Sequence, residues 1–369
     1  CCVPNLLIRF LKVSHFVVLS CHNGMVGLRK LSSTNAFVVT DLVDVPSFGI
    51  VRCAKKILQG GAKDLARSMT YTFASFEMQR GGASGGINAL PDEKEEAIEN
   101  FVSELADDVE AGSLGLDAGK GIVPSSFGTL VDVDTRSDLR FVEQGADQLE
   151  TYLAALGPVI VAEHLNGLDG KTVSIEGFGS HGPAMMDLIA ERGGKVVSIS
   201  TLSGSVSNSD GLDPGEIRNQ WDEDGINFVK SSDGEAEPAW KVFQSGADIL
   251  FAGSKMGAVS HVTAEKLQVE TLVPHQPIPF TARALAMLER KGTVVAPDFL
   301  AVAGPIFAAW PTDNQTSSDV IASATSMISD ALEESSKHED GLFLGACYRA
   351  ESFLATWHDT KLFGRPLAS

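Results

Sequence analysis

The stretch Lys171-Thr-Val-Ser-Ile-Glu-Gly177-Phe-Gly179-Ser-His-Gly182-Pro-Ala-Met-Met-Asp-Leu-Ile-Ala-Glu-Arg192, continued by Gly193-Gly-Lys195-Val-Val-Ser-Ile-Ser200, decides the fold. Lys171 to Ile175 reads as a short buried strand, Ala184 to Arg192 as a helix, and Lys195 to Ser200 as a second strand. Between strand and helix stand three glycines with separate tasks: Gly177 permits a tight turn, Gly179 lets backbone approach a pyrophosphate, and Gly182 lets helix and strand pack closely. The helix N-terminus then offers free N–H groups and a partial positive charge to the phosphates. Pro183 suits the first helical turn, where it has no N–H to lose. Three spaced glycines alone are a weak pattern; a strand before them, a helix after them and a βαβ length make it specific for a Rossmann-type dinucleotide site.

Phe178, Ser180 and His181 share that turn and are candidate cofactor contacts, His181 for a phosphate. Ser200 and Thr201 end the second strand, where an acidic residue commonly holds the ribose 2′-hydroxyl. Hydroxyl side chains tolerate a 2′-phosphate, but no arginine stands near to pair it, so NAD and NADP both remain open.

Working outward, Ala247 to Ala252, Val269 to Val273 and Thr293 to Ala296 are further short apolar strands, and Ala282 to Lys291 is a helix among them. Strands alternating with helices predict an α/β, doubly wound parallel sheet covered on both faces. Ser317 to Ser336 and Gly345 to Asp359 read as closing helices. Upstream, His15 to Cys21 and residues 35–40 read as strands, and Ala62 to Met78 as a helix with Leu65, Met69, Phe73 and Phe76 at helical spacing. The glycine cluster from Arg80 to Asn88 reads as a tight irregular turn. Glu93 to Asp108 reads as an acidic amphipathic helix, Ala111 to Thr129 as a loop, and Arg140 to Leu156 as a helix.

With 369 residues the chain predicts two domains, and 44% hydrophobic residues suffice for a sizeable core. Forty-eight acidic against 29 basic side chains give a formal charge of −19, which argues against a nucleic-acid or anionic-membrane partner. No uninterrupted apolar run reaches membrane length. The five cysteines are scattered and read as free thiols of a reducing cytoplasm. His164, His261 and His358 have no metal-ligand spacing, so no metal is expected.

The segments GLDGKTVSIEGFGSHG, KVVSISTLSG, SNSDGLDP, GADILFAGS (246–254) and ERKGTVVAPDFLAVAGPIFAAW (289–310) together resemble the nucleotide domain of the glutamate/leucine/phenylalanine/valine dehydrogenases. ARSMTYTFASFEMQRGGASGGINALP (66–91) resembles that family's substrate-domain signature, and LGLDAGKG (114–121) its aspartate loop. The segments follow the family's order from about Phe16 to Trp310. The resemblance implies an N-terminal α/β substrate and oligomerisation domain over 1–145 and a C-terminal Rossmann-type nucleotide domain over 146–339. A C-terminal helix within 340–369 is expected to pack back on the first domain. It also implies a homo-oligomer, a small-molecule substrate (amino acid or 2-oxo acid) and oxidative deamination with NAD or NADP.

The resemblance places Asp117 at the family's catalytic aspartate, but Thr72 and Ser84 at its two lysines. A neutral hydroxyl cannot hold a substrate carboxylate by charge or serve as the base. Arg80 and Lys120 are the nearest candidate substitutes; Lys63 and Arg67 lie on the preceding helix. Gln276, beside His275, and Val302 stand where the family carries asparagines toward the nicotinamide. Two functions compete: an NAD(P)-dependent amino-acid dehydrogenase with altered residues, or a non-catalytic nucleotide-binding or scaffolding homologue that keeps the fold.

Overall fold

A computed structural model describes residues 27–230, 236–359 and 364–368; the strand expected at His15 to Cys21 lies outside them. The chain first lays down β1 (Gly27–Lys30), β2 (Ala36–Thr40), β3 (Ser47–Ala54), α1 (Gln59–Ser75), β4 (Gly81–Asn88), α2 (Lys94–Glu110) and β5 (Leu114–Ala118). These strands form a five-stranded sheet in the order β1-β2-β4-β3-β5. β3 runs parallel to β4 and β5, while β2 is antiparallel to both of its neighbours.

Two expectations fail in this sheet. The glycine cluster is not a turn: it is β4, a central and almost wholly buried strand. Its glycines remove bulk where neighbours crowd. A Cβ on Gly82 would sit 1.9 Å from the Ala66 carbonyl oxygen of α1, and one on Gly86 would sit 2.6 Å from the Phe37 ring. The supposed loop after α2 likewise contains β5, whose Leu114 and Leu116 enter the core beneath α2 with Phe101 and Leu105.

A short helix, α3 (Gly128–Asp132), a 3₁₀ turn at Asp138–Phe141 and a two-residue hairpin, β6 (Glu143–Gln144) with β7 (Asp147–Gln148), lead to α4 (Leu149–Asn166). The helix predicted from Arg140 therefore starts nine residues later, after the hairpin. α4 is apolar around most of its circumference, which marks a helix buried on all sides. It bridges the two halves of the molecule. Gly157 meets the Ala301 carbonyl, and Leu153 meets Gly304, at distances that leave no room for a Cβ on either glycine.

The second sheet follows from β8 (Thr172–Glu176), α5 (Gly182–Glu191), β9 (Lys195–Thr201), β10 (Gly204–Ser207), α6 (Pro214–Asp224), β11 (Ile249–Ala252), α7 (His261–Lys266), β12 (Thr271–Pro274), α8 (Ala282–Arg290) and β13 (Val294–Val295). Its order is β10-β9-β8-β11-β12-β13, parallel except for β10. The strand order turns between β8 and β11, and in such sheets the crevice beyond the carboxyl ends of the strands at that point receives the ligand. The short helices α9 (Asp298–Ala301) and α10 (Gly304–Ala309) and the long α11 (Ser317–Ser336) close this half. α12 (Leu342–Trp357) returns to α1, where the Tyr71 hydroxyl donates to Glu351 at 2.8 Å and Arg349 donates to the Ser75 carbonyl. One hydrophobic cluster runs from Phe48, Tyr71 and Phe73 through α4 into the second sheet.

Candidate functional site

The glycine turn at the end of β8 has the backbone that the residues dictate. Gly177 lies at φ +91°, and a Cβ there would sit 2.3 Å from the Ser254 nitrogen. Gly182 carries the Phe178 ring across its Cα, 2.7 Å from where a Cβ would be. Gly179 differs from both: a Cβ there would meet nothing nearer than the Gly177 oxygen, at 3.9 Å. The space over Gly179 is therefore open, as a pyrophosphate lying on the backbone needs. Ser180 is exposed beside it, at the start of α5. The turn is braced from below by Glu176, whose Oε2 accepts from the N–H groups of Gly253 and Ser254, both at 3.0 Å.

His181 does not do what its place in the turn suggests. Its side chain is buried, and its Nε2 lies 3.0 Å from Nδ1 of His275, whose own Nε2 donates to the Glu176 carbonyl oxygen at 2.8 Å. The last bond fixes His275 as acceptor at Nδ1, so His181 donates from Nε2. Burial, and next the neighbouring His275, lower the His181 pKa to about 3; burial lowers that of His275 as well. The pair is a neutral strut between the β8 turn and the end of β12, not a phosphate ligand. Phe178 is also turned inward, edge-on to Trp221 and Phe228, while its N–H donates to the Ser200 carbonyl. Ser200 and Thr201 are buried, and the Thr201 hydroxyl is spent on the Ile226 carbonyl. Gln276 and Val302 remain half-exposed at the ends of β12 and α9.

Opposite this turn, the first sheet presents one row of side chains. Ser84 on β4, Ile50 on β3 and Asp117 on β5 stand in register across the three strands. Arg52, two residues beyond Ile50 on the same face, reaches the other half, with Nη1 3.4 Å from Met256 Sδ. Its Nε is buried without an acceptor, and burial lowers its pKa. An arginine that meets a thioether sulfur is poorly satisfied, since sulfur is a weak acceptor.

The other basic candidates are placed elsewhere. Arg80 lies over the rings of Phe48 and Trp310, at 5.2 and 4.5 Å from their centroids, and its aromatic packing explains why it does not reach the row. Lys120 and Lys63 are exposed. Arg67 donates to Asp41 at 2.8 Å. Thr72 is buried within α1, its hydroxyl bonded to the Ser68 carbonyl at 3.1 Å. Ser84 is buried and donates to the Ile50 carbonyl at 3.2 Å.

Asp117 is embedded in a charge cluster that sequence reasoning missed. Arg136 forks onto both of its carboxylate oxygens, at 2.8 and 2.6 Å, and also binds Asp134. Arg140, from the 3₁₀ turn, binds Asp134 at 3.2 Å and approaches Asp117 at 3.7 Å and Glu150 at 3.9 Å. Both arginines are buried, their side chains 5% and 3% exposed. Burial works against the charge on Arg136, but Asp117 and Asp134 outweigh it and raise its pKa. No such cluster could be read from the spacing, because its members come from β5, the segment after α3, a 3₁₀ turn and α4. Among the described residues no group of side chains is arranged to hold a metal ion.

The family profile described as glutamate/leucine/phenylalanine/valine dehydrogenase matches residues 153–337, half of the chain and nearly all of the second sheet with its helices. The chain belongs to this family. Among relatives, the NADP-specific glutamate dehydrogenase of Saccharolobus shibatae is 24% identical over 284 residues, covering 72% of this chain and 67% of that protein. The glutamate dehydrogenase of Thermotoga maritima is 27% identical over 297 residues, covering 73% and 70%. The hetero-hexameric glutamate dehydrogenase of Thermus thermophilus, solved with leucine bound, superposes with a TM-score of 0.73 at 20% identity, over 89% of this chain and 86% of that one. L-tryptophan dehydrogenase from Nostoc punctiforme superposes with a TM-score of 0.58 at 18% identity, over 90% and 96%. The family's two-part architecture, an α/β domain followed by a Rossmann-type domain, is thus the fold of this chain.

Proposed function

We propose that the chain is an NAD(P)-dependent dehydrogenase that interconverts an L-amino acid with its 2-oxo acid and ammonia, the dinucleotide lying across the Gly177–Gly182 turn. The observation that carries this reading is the row Ser84–Ile50–Asp117, with the under-satisfied Arg52 beside it, facing the end of the second sheet where Met256 stands. The open backbone over Gly179 and the start of α5 fit a pyrophosphate. A nicotinamide bound there would take the hydride from the substrate Cα.

In this reading the substrate carboxylate replaces Met256 Sδ as the partner of Arg52. A fork of N–H donors matches a carboxylate, which supplies the charge that Thr72 and Ser84 cannot. Asp117 gives one lone pair of each oxygen to Arg136 and keeps others for a substrate ammonium. The NAD-versus-NADP choice rests with Ser200, Thr201 and the residues that follow β9. The relatives named above include an NADP-specific enzyme and a hetero-hexameric one; an oligomer built through the first sheet is part of this proposal.

The test is turnover at the nicotinamide absorbance band with a panel of L-amino acids, and of 2-oxo acids plus ammonium, using each cofactor in turn. Arg52→Ala should raise KM for the amino acid by about 10- to 100-fold, the loss of a charge-assisted hydrogen-bonded pair. One observation favours the second reading, a non-catalytic nucleotide-binding homologue: the two-pronged clamp of Arg136 on Asp117. Silence across the panel together with measurable binding of NAD(P)H would decide for it.

A further inference from the structure

The charge cluster at Asp117 holds three carboxyls, Asp117, Asp134 and Glu150, against two guanidiniums, Arg136 and Arg140. With every group ionised, the cluster carries one uncompensated negative charge. The hydrogen bonds decide where the missing proton belongs. Arg136 forks onto Asp117 and Asp134, and Arg140 donates to Asp134. Glu150 receives no hydrogen bond among the described residues; its nearest cation is Arg140 Nη1, at 3.9 Å. The same Nη1 stands 3.7 Å from Asp117 Oδ1, so the two carboxyls share one guanidinium nitrogen. Glu150 lies in the first turn of α4, the helix that joins the two sheets, and its side chain keeps 28% exposure. That exposure, beside Asp117, lets it exchange a proton with solvent.

We propose that Glu150 is the acid–base group of the cleft, taking over the proton traffic for which the family-matched positions Thr72 and Ser84 carry no ionisable side chain. The inference rests on the dehydrogenase reading. In the oxidative direction the Glu150 carboxylate takes one proton from the substrate ammonium, leaving a neutral amine and a carboxylic acid. The freed nitrogen lone pair then forms the C=N bond as hydride leaves Cα for the oxidised dinucleotide, and no further oxidant is needed. In the reductive direction the acid form returns that proton to nitrogen. The electrostatics agree with the assignment: burial, and next the charge of Asp117, push Glu150 up to about 7, with Asp134 adding to the rise and Arg140 and Arg136 opposing it. A base poised near the working pH is the most effective one.

The experiment is the pH dependence of kcat/KM for amino-acid oxidation, measured on the full chain and on Glu150→Gln, with the affinity for the dinucleotide measured alongside. The wild type should gain activity with rising pH up to a limb near 7 and level off. Glu150→Gln should lose that limb and about 10²- to 10⁴-fold in kcat/KM, while binding NAD(P)H as the wild type does. Glu150→Asp should recover part of the rate with a displaced limb, which a merely structural role would not produce. Carboxyl ¹³C resonances of glutamate-labelled protein, assigned by difference from Glu150→Gln, should show one group titrating near 7. An active wild type whose limb persists in Glu150→Gln overturns the role of Glu150 and leaves the dehydrogenase reading standing. Titration of Glu150 in the ordinary carboxylate range overturns it as well. A wild type silent on the whole panel overturns the dehydrogenase reading, and this role with it.

Discussion

The buried pair His181–His275 should make the nucleotide half sensitive to acid, by an amount that can be worked out. Both rings are neutral in the folded chain, with the His181 pKa lowered to about 3 and that of His275 lowered too. In the unfolded chain each titrates at about 6.5. Below that value the unfolded state binds more protons, so stability falls with falling pH and stops falling only where the folded rings protonate. At pH 5.5 the neutral His181 ring costs roughly 1 kcal/mol more than at pH 7.5, and the lowered pKa of His275 adds to that loss. Glu150 and Asp298 act in the opposite sense. Burial raises them to about 7 and about 6, and each adds stability as pH falls through its folded pKa. The slope of the whole protein therefore mixes signs, but comparison with His181→Asn/His275→Asn cancels the carboxyls. Urea unfolding followed by tryptophan fluorescence at one fixed chain concentration, at pH 7.5 and 5.5, gives the difference. The wild type should lose at least about 1 kcal/mol more than the double variant. A difference within about 0.5 kcal/mol would mean that the rings protonate in the fold, and the pair would not be a neutral strut.

Three further outcomes follow from the geometry. Gly179→Val should leave the thermal midpoint within about 2 °C yet weaken NAD(P)H binding at least about tenfold by titration, because the position is open to solvent but needed by the ligand; Gly182→Ala, against the Phe178 ring, should instead lower the midpoint. Arg136→Ala should destabilise the first sheet by about 3–5 kcal/mol in urea, because Asp117 and Asp134 lose their shared buried partner. Glu176→Ala should leave the Ser254 N–H unpaired, while Gly253 keeps its bond to the Glu176 carbonyl, costing about 1–3 kcal/mol and loosening the dinucleotide turn, seen as faster amide exchange at Ser254 and the glycine turn.

The nucleotide half is legible in the sequence because its signals are local. An apolar strand, glycines at fixed offsets and a helix follow one another without a break from Lys171 to Ser200, and helix Ser317–Ser336 is readable to the residue. β4 is not legible, because glycine is punctuation in most sequences and becomes strand only when α1, against Gly82, and Phe101 of α2, against Gly85, close on it from its two faces. The fate of His181 turns on His275, 94 residues on, which no window contains. Arg136, Arg140 and Glu150 look like members of a solvated loop and helix start, and only the fold gathers them around Asp117. Arg52 carries no motif of its own; its position two residues along from the Ser84–Ile50–Asp117 row emerges only from the strand register.

β4 has a consequence for how the molecule assembles. Four of its eight residues are glycine, each forfeiting about 0.5–1 kcal/mol of chain entropy relative to alanine, and it brings few β-branched side chains of its own. Such a strand cannot nucleate a sheet. It must wait for β3 and α1, which it joins through a parallel crossover, and only then can β2 zip onto its other edge. The first sheet is therefore completed only by non-local pairing, Ser47 with Gly81 and Thr40 with Ala83. Until β4 settles, β2 and β3 present bare edges, and a crowded cell meets the chain at its stickiest during that interval.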